Sequence, residues 1–258
     1  MSKVAIRHGF MPGCSLPSYS PTNIEKTIEF LRGMYPELSV IQKCCGKPTK
    51  SLGQVELLKE RFGSLVADIK DCQVDEMLVA CQNCYNMLRE SDAFSTTSLW
   101  ERIPEIGLPA EVRGKALASD VVFSIHDSCP VRDNRAIHDG IRWILQELGY
   151  KTVEPERTRE NARCCGFGGM IVPVNPELAK KVMDRRVEEM PTQHIVVYCA
   201  ACRSSMLMGG GRAWHILDLL WGPVVTSASQ PPEDALASPV KAWFNRYKSK
   251  RVIARSIK

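Results

Sequence analysis

The sequence predicts an α/β protein made of two pseudo-symmetric, Rossmann-like halves, each with a small, mainly parallel sheet. Three observations predict it. Ten of the eleven cysteines form one pattern twice: Cys14, Cys44-Cys45-Gly46 and Cys81-Gln82-Asn83-Cys84, then Cys129, Cys164-Cys165-Gly166 and Cys199-Ala200-Ala201-Cys202. The gaps agree, with 29 and 34 residues before each Cys-Cys-Gly and 34 and 32 after its glycine. Within each copy, short apolar runs of strand length alternate with stretches of helical period, the order that builds parallel β-α-β units with right-handed crossovers.

In the first copy, Val4–Phe10 reads as a strand ending near Cys14. Ile24–Gly33 has helical spacing, with Ile24, Ile28 and Leu31 on one face. Leu38–Gln42 reads as a second strand ending at Cys44. Leu52–Ile69 reads as a longer helix presenting Leu57, Leu58, Leu65 and Ile69, and Met77–Ala80 as a third strand running into Cys81.

The second copy repeats the order. Val121–Ile125 reads as a strand before Cys129, and Val131–Leu148 as a helix that Gly149 caps. Lys151–Val153 is a weaker strand. Asn175-Pro176-Glu177 supplies an N-cap, an N1 proline and a first-turn acid for a helix reaching about Met190. Ile195–Tyr198 runs as a strand into Cys199. Every cysteine group thus falls at or past the carboxyl end of a strand, the edge where ligands gather in open α/β sheets. Residues 91–119 read as a connection and 222–237, rich in Pro, Ser and Ala, as a linker; Ser238-Pro239 opens a final helix. The expected division is 1–118, 119–221 and 222–258.

The totals exclude several classes. A hydrophobic content of 44% fits a globular protein. No apolar run approaches the roughly 20 residues of a membrane helix. No export signal precedes eleven thiols, so the expected setting is reducing cytoplasm, where dense cysteines hold metal or do redox chemistry rather than form disulfides. The net charge of +5 is concentrated in residues 241–258, with seven Lys/Arg and no acid, while the other 240 residues carry 27 bases and 29 acids. The main body therefore offers no field for nucleic acid. The basic final helix, with Val240, Trp243, Phe244 and Tyr247 on one face, can lie on an anionic membrane surface, dock on a partner subunit, or pack that stripe on its own body; the last is the commonest arrangement.

Thiolates select zinc, copper(I) or iron–sulfur clusters. Structural zinc takes four ligands, and so does a standard cubane. Five thiols per copy, two of them adjacent, favour a larger or less symmetric cluster, with reduced thiols or a zinc-stabilised interaction module as the alternatives. Cys72 stands outside both patterns and is no ligand candidate. Gly46-Lys47-Pro48 is stiffer than Gly166-Phe167-Gly168-Gly169, so the two sites should differ, the first an electron relay and the second the place where substrate meets iron.

The doubled pattern, over residues 4–220, resembles the CCG, or cysteine-rich, domain family, best known from heterodisulfide reductase. The resemblance implies an iron–sulfur oxidoreductase subunit of heterodisulfide-reductase B type, with two non-cubane 4Fe-4S clusters acting on a disulfide or thiol substrate. It assigns Cys14, Cys44, Cys45, Cys81 and Cys84 to one cluster, and Cys129, Cys164, Cys165, Cys199 and Cys202 to the other. Relatives in organic-acid and quinone-linked dehydrogenase complexes imply the alternative of electron transfer alone. No ferredoxin-like run of four cysteines is present, so electrons are expected from an iron–sulfur or flavoprotein subunit. His126, three residues before Cys129, is the candidate catalytic residue, as proton donor to a leaving thiolate or, the favoured role, as a hydrogen-bonding group that orients the site.

Overall fold

A computed structural model of the chain describes residues 6–255. By compactness the described residues divide into one unit of 6–99 with 244–255 and a second of 100–243. Residues 100–118 therefore pack with the second set of cysteines, and residues 244–255 with the first.

The first unit runs β1 (His8–Met11), α1 (Ser15–Tyr19), α2 (Pro21–Met34), β2 (Ser39–Val40), α3 (Lys47–Ser51), α4 (Val55–Asp71), β3 (Glu76–Val79), α5 (Gln82–Leu88) and β4 (Ser95–Ser98). Its sheet is wholly parallel, in the order β2-β1-β3-β4. The second unit runs from α6 (Leu99–Ile106), almost all of which it holds, through β5 (Val122–His126), α7 (Arg135–Leu148), β6 (Lys151–Val153), α8 (Ile171–Val174), α9 (Pro176–Glu188), β7 (His194–Val197), α10 (Ala200–Met208), β8 (Arg212–His215) and α11 (Ile216–Trp221). Its sheet repeats the topology as β6-β5-β7-β8. The last helix, α12 (Pro239–Arg255), belongs to the first unit from Phe244 onward.

The registers are equivalent. Met11 ends β1 opposite Val79, two residues before Cys81, and His126 ends β5 opposite Val197, two residues before Cys199. β3 and β7, interior in their sheets, are buried on both faces, which explains the apolar runs Met77–Val79 and Ile195–Val197.

Several expected elements shift. The strand expected from Val4 begins at His8; Val4 and Ala5 lie outside the described residues. The second strand shrinks to Ser39–Val40. The helix expected from Leu52 begins at Val55, because Gly53 takes a positive φ of 70° and breaks it from α3. Of its expected apolar face, only Leu65 and Ile69 are buried. The helix expected from Val131 begins at Arg135, where the Asn134 side chain accepts from the Ile137 N–H at 3.2 Å. Gly149 ends it in the left-handed conformation, and Asn175 caps α9 by accepting from the Leu178 N–H at 3.0 Å. Two strands were not expected, β4 and β8. Ser95-Thr96-Thr97-Ser98 has no apolar residue to announce it, yet it pairs along its whole length with β3.

The final helix reverses the expected packing of its stripe. Val240 and Trp243 are exposed, Phe244 and Tyr247 are half exposed, and the buried positions are Ser249 and Ile253. It meets α1 through polar groups. Asn245 Nδ2 donates to the carbonyls of Ser18 and Tyr19, each at 3.1 Å, and Ser249 Oγ to that of Pro17 at 3.0 Å. None of the described helices is long and apolar enough to cross a membrane.

Candidate metal centres

In each unit all five cysteines of one copy converge. Cys14 contacts Cys44 and lies near Cys45 and Cys81, Cys84 contacts both Cys45 and Cys81, and Cys44 lies near Cys81. In the second unit Cys129 contacts Cys164, Cys164 contacts Cys165, and Cys202 contacts Cys165 and Cys199. Strand ends bring them there. Cys81 and Cys199 are the N-caps of α5 and α10, so the second thiol of each Cys-x-x-Cys lies in a helical first turn beside unpaired backbone N–H groups. The Cys-Cys-Gly loops turn at Gly46 and Gly166, with φ of 80° and 89°, and each glycine N–H points at a sulfur: Cys44 Sγ at 3.5 Å and Cys164 Sγ at 3.4 Å. Cys72 is exposed at the end of α4.

The electrostatics of the thiols is shared. A hydrogen bond from Cys14 holds Cys44 down to about 6, helped by the Gly46 N–H and by Arg61 and Arg246, against the burial that opposes it. The same bond, with burial, raises Cys14. In the second set Cys129 and Cys165 hold Cys164 far below an ordinary thiol, while Cys129 and Cys202 rise. Each pocket thus favours thiolate at one thiol in particular, Cys44 or Cys164, the form in which sulfur binds metal, while the thiols that donate to it are raised.

The second pocket has a polar foundation that the first lacks. His126 and Asp127 are fully buried. Asp127 accepts both arms of Arg142, at 2.9 and 2.8 Å, the Arg159 N–H at 2.8 Å and the Tyr198 hydroxyl at 3.2 Å. Burial works against its charge, but Arg142 prevails and holds it well below the usual carboxylate range. Tyr198 Oη in turn accepts from the Ser128 N–H at 2.8 Å, tying the Cys129 loop to the residue before Cys199. Burial, reinforced by Arg186, pushes His126 down to about 3, so its imidazole is neutral. A ring nitrogen of His126 and the sulfurs of Cys165 and Cys202 lie within 4.8 Å of one another.

Reading the sequence missed the cations. Arg61, Arg142, Arg186 and Arg246 come from helices and read as solvated charge. One signal pointed to Arg142: an acid at a buried strand end, Asp127, requires a cation or several donors. Arg246 reaches the first pocket from α12, with Nε donating to Ser18 Oγ at 3.2 Å.

The profile of the cysteine-rich domain matches residues 9–89 and again 123–207, together more than half of the sequence. The chain belongs to the cysteine-rich, or CCG, domain family. Among cysteine-rich relatives, it is 27% identical over 171 residues to one chain of the dihydromethanophenazine:CoB–CoM heterodisulfide reductase from Methanosarcina acetivorans, covering 62% of this chain and 42% of that one. It is 22% identical over 237 residues to one chain of the CoM/CoB fumarate reductase from Methanothermobacter marburgensis, covering 83% and 46%. It is 22% identical over 206 residues to the EtfAB:quinone oxidoreductase of Syntrophomonas wolfei, covering 71% and 29%. The chain spans less than half the length of each of these relatives.

Proposed function

We propose that this chain is an iron–sulfur oxidoreductase subunit of heterodisulfide-reductase type, holding one cluster on each set of five cysteines. The observation that carries the reading is the convergence of five thiols, rather than four, in each unit. Adjacent thiols such as Cys44 and Cys45, or Cys164 and Cys165, strain a single tetrahedral ion but suit a multi-iron group, and the fifth ligand favours a non-cubane 4Fe-4S form. The glycine N–H groups on Cys44 and Cys164 and the helix starts at Cys81 and Cys199 suit an anionic cluster.

When bound, such a cluster supplies one-electron chemistry at sulfur-ligated iron. Reduction of a disulfide consumes two electrons and two protons and releases two thiols, and two pockets match that electron count. The electrons come from a reduced iron–sulfur or flavin subunit and the protons from water. The glycine-rich loop after Cys165 makes the second pocket the better place for substrate sulfur, with the first pocket as relay. His126 is a neutral orienting group there rather than the acid. The similarity to a quinone oxidoreductase supports a second reading, electron transfer without disulfide chemistry.

The exposed Trp243 and Phe244 beside Lys241, Lys248, Lys250 and Arg251 support docking of α12 on an acidic surface of the electron-donating subunit. Anaerobic reconstitution followed by titration with thiols and disulfides, read by EPR, tests the substrate class. A new signal with a disulfide is expected; no change with any thiol or disulfide leaves electron transfer alone.

A further inference from the structure

His126 and its neighbours set the two pockets apart in a way the cysteine pattern does not. Arg186 is 1% exposed, and its Nε donates to His126 Nδ1 at 3.1 Å. Arginine has no acceptor, so the imidazole nitrogen facing it must be the unprotonated one. In the neutral ring the proton then lies on Nε2. That nitrogen is buried and has no hydrogen-bond partner in the protein. The ring stands beside Cys165 and Cys202.

Arg186 is itself held in place. Its Nη1 donates to Glu189 Oε2 at 2.9 Å and its Nη2 to the Arg157 carbonyl at 3.0 Å. Three fixed acceptors leave the guanidinium one orientation, so the tautomer of His126 is built into the fold. The same arrangement removes His126 from the metal ligands. Ligation through Nε2 would move the proton to Nδ1, where it would meet the N–H of Arg186.

The first pocket has nothing comparable at this position. Its equivalent by register is Met11, fully buried, whose side chain has no N–H to give. The neighbouring positions follow suit: Pro12-Gly13 stands where the second copy has Asp127-Ser128, and Ala80 where it has Tyr198. Hydrogen bonds to cluster sulfur favour the reduced, more negative state and raise the potential.

We infer that Arg186 is a positioning residue that locks His126 with its Nε2 proton free for sulfur of a cluster bound in the second pocket, making that pocket the more oxidising of the two and the end point of electron flow. This rests on the iron–sulfur reading above; the lock itself does not.

Two readouts separate the parts. In the full metal-free chain, nitrogen-15 NMR of labelled histidines, assigned with His126→Gln, is expected to show Nδ1 bare and Nε2 protonated. Arg186→Met should turn this into a mixture of tautomers. A protonated Nδ1 in the unaltered chain overturns the lock. In the reconstituted chain, an EPR-monitored redox titration is expected to give two midpoints. His126→Met should lower the higher one toward the other, and His126→Gln, which keeps an N–H, should lower it less. An unmoved midpoint in His126→Met at full iron content overturns the donor role. Failure to bind any iron overturns the cluster reading and the ordering of potentials with it, while the nitrogen spectrum still decides the lock.

Discussion

Arg142 holds Asp127, two residues before Cys129, with both arms of its guanidinium, and Asp127 has no exposed surface at all. A carboxylate buried so completely is tolerable only because several donors surround it. Arg142→Met leaves that charge without its cation and should destabilise the second unit by on the order of 3 kcal/mol. Arg142→Lys keeps the charge but not the fork, and should lose part of that. Urea unfolding followed by tryptophan fluorescence checks the order; a lysine variant as weak as the methionine variant would show that geometry, not charge, decides.

His215 gives the second unit a pH dependence. It is buried at the start of α11, where its Nδ1 accepts from the Leu217 N–H at 3.2 Å, and burial with Arg203 pushes it down to about 3. Its folded value lies below its unfolded one, so protons favour the unfolded chain. The stability it contributes is complete above the ordinary histidine value near 6.5 and is lost as pH falls toward 3, roughly 2 kcal/mol by pH 5. His215→Asn keeps a capping acceptor that does not titrate. Urea midpoints of the metal-free chain at pH 7.5 and 5 should differ less in that variant; an unchanged difference would remove His215 from the account.

How much of this could be read from the sequence follows from range. Gly149 and the Asn175-Pro176 cap act within one turn, and both hold as expected. Cys81 and Cys199 were legible because each follows a buried strand with an apolar signature, β3 and β7, whereas Cys44 follows only the two-residue β2 and Cys164 stands on a loop well past β6, and both were legible from the Cys-Cys-Gly repeat itself. β4 was not, because Ser95–Ser98 becomes a strand only by pairing with β3. Arg186 was not, because a helix as polar as α9 reads as solvated until His126 is placed against it. The face of α12 was misread for the same reason. Period shows which residues share a side, but the Asn245 and Ser249 contacts with α1 decide which side turns inward.

Cys44 should be the reactive thiol of the first pocket in the metal-free chain. It is exposed and held near 6, foremost by its bond to Cys14. The pH profile of its alkylation, read by peptide mapping, should rise near that value. Cys14→Ala should move the profile most, toward an ordinary thiol, and Arg246→Gln less. No movement in Arg246→Gln would show that α12 does not reach the pocket in solution.

Gly13 should be irreplaceable for that pocket alone. Its φ is +84°, and a Cβ there would lie 2.6 Å from the Cβ of Cys81. Gly13→Ala is therefore strained in its backbone and pushes Cys81 out of the thiol set. Metal bound by the first unit should be lost and that of the second retained, measured as iron per chain and as loss of one EPR species. Full iron in this variant would mean that Cys81 is not a ligand.

Metal analysis of anaerobically purified chain decides whether each five-thiol pocket holds an iron–sulfur cluster. Brown protein with about eight iron and a matching amount of acid-labile sulfide per chain is expected. Colourless protein with about two zinc and no sulfide would contradict it.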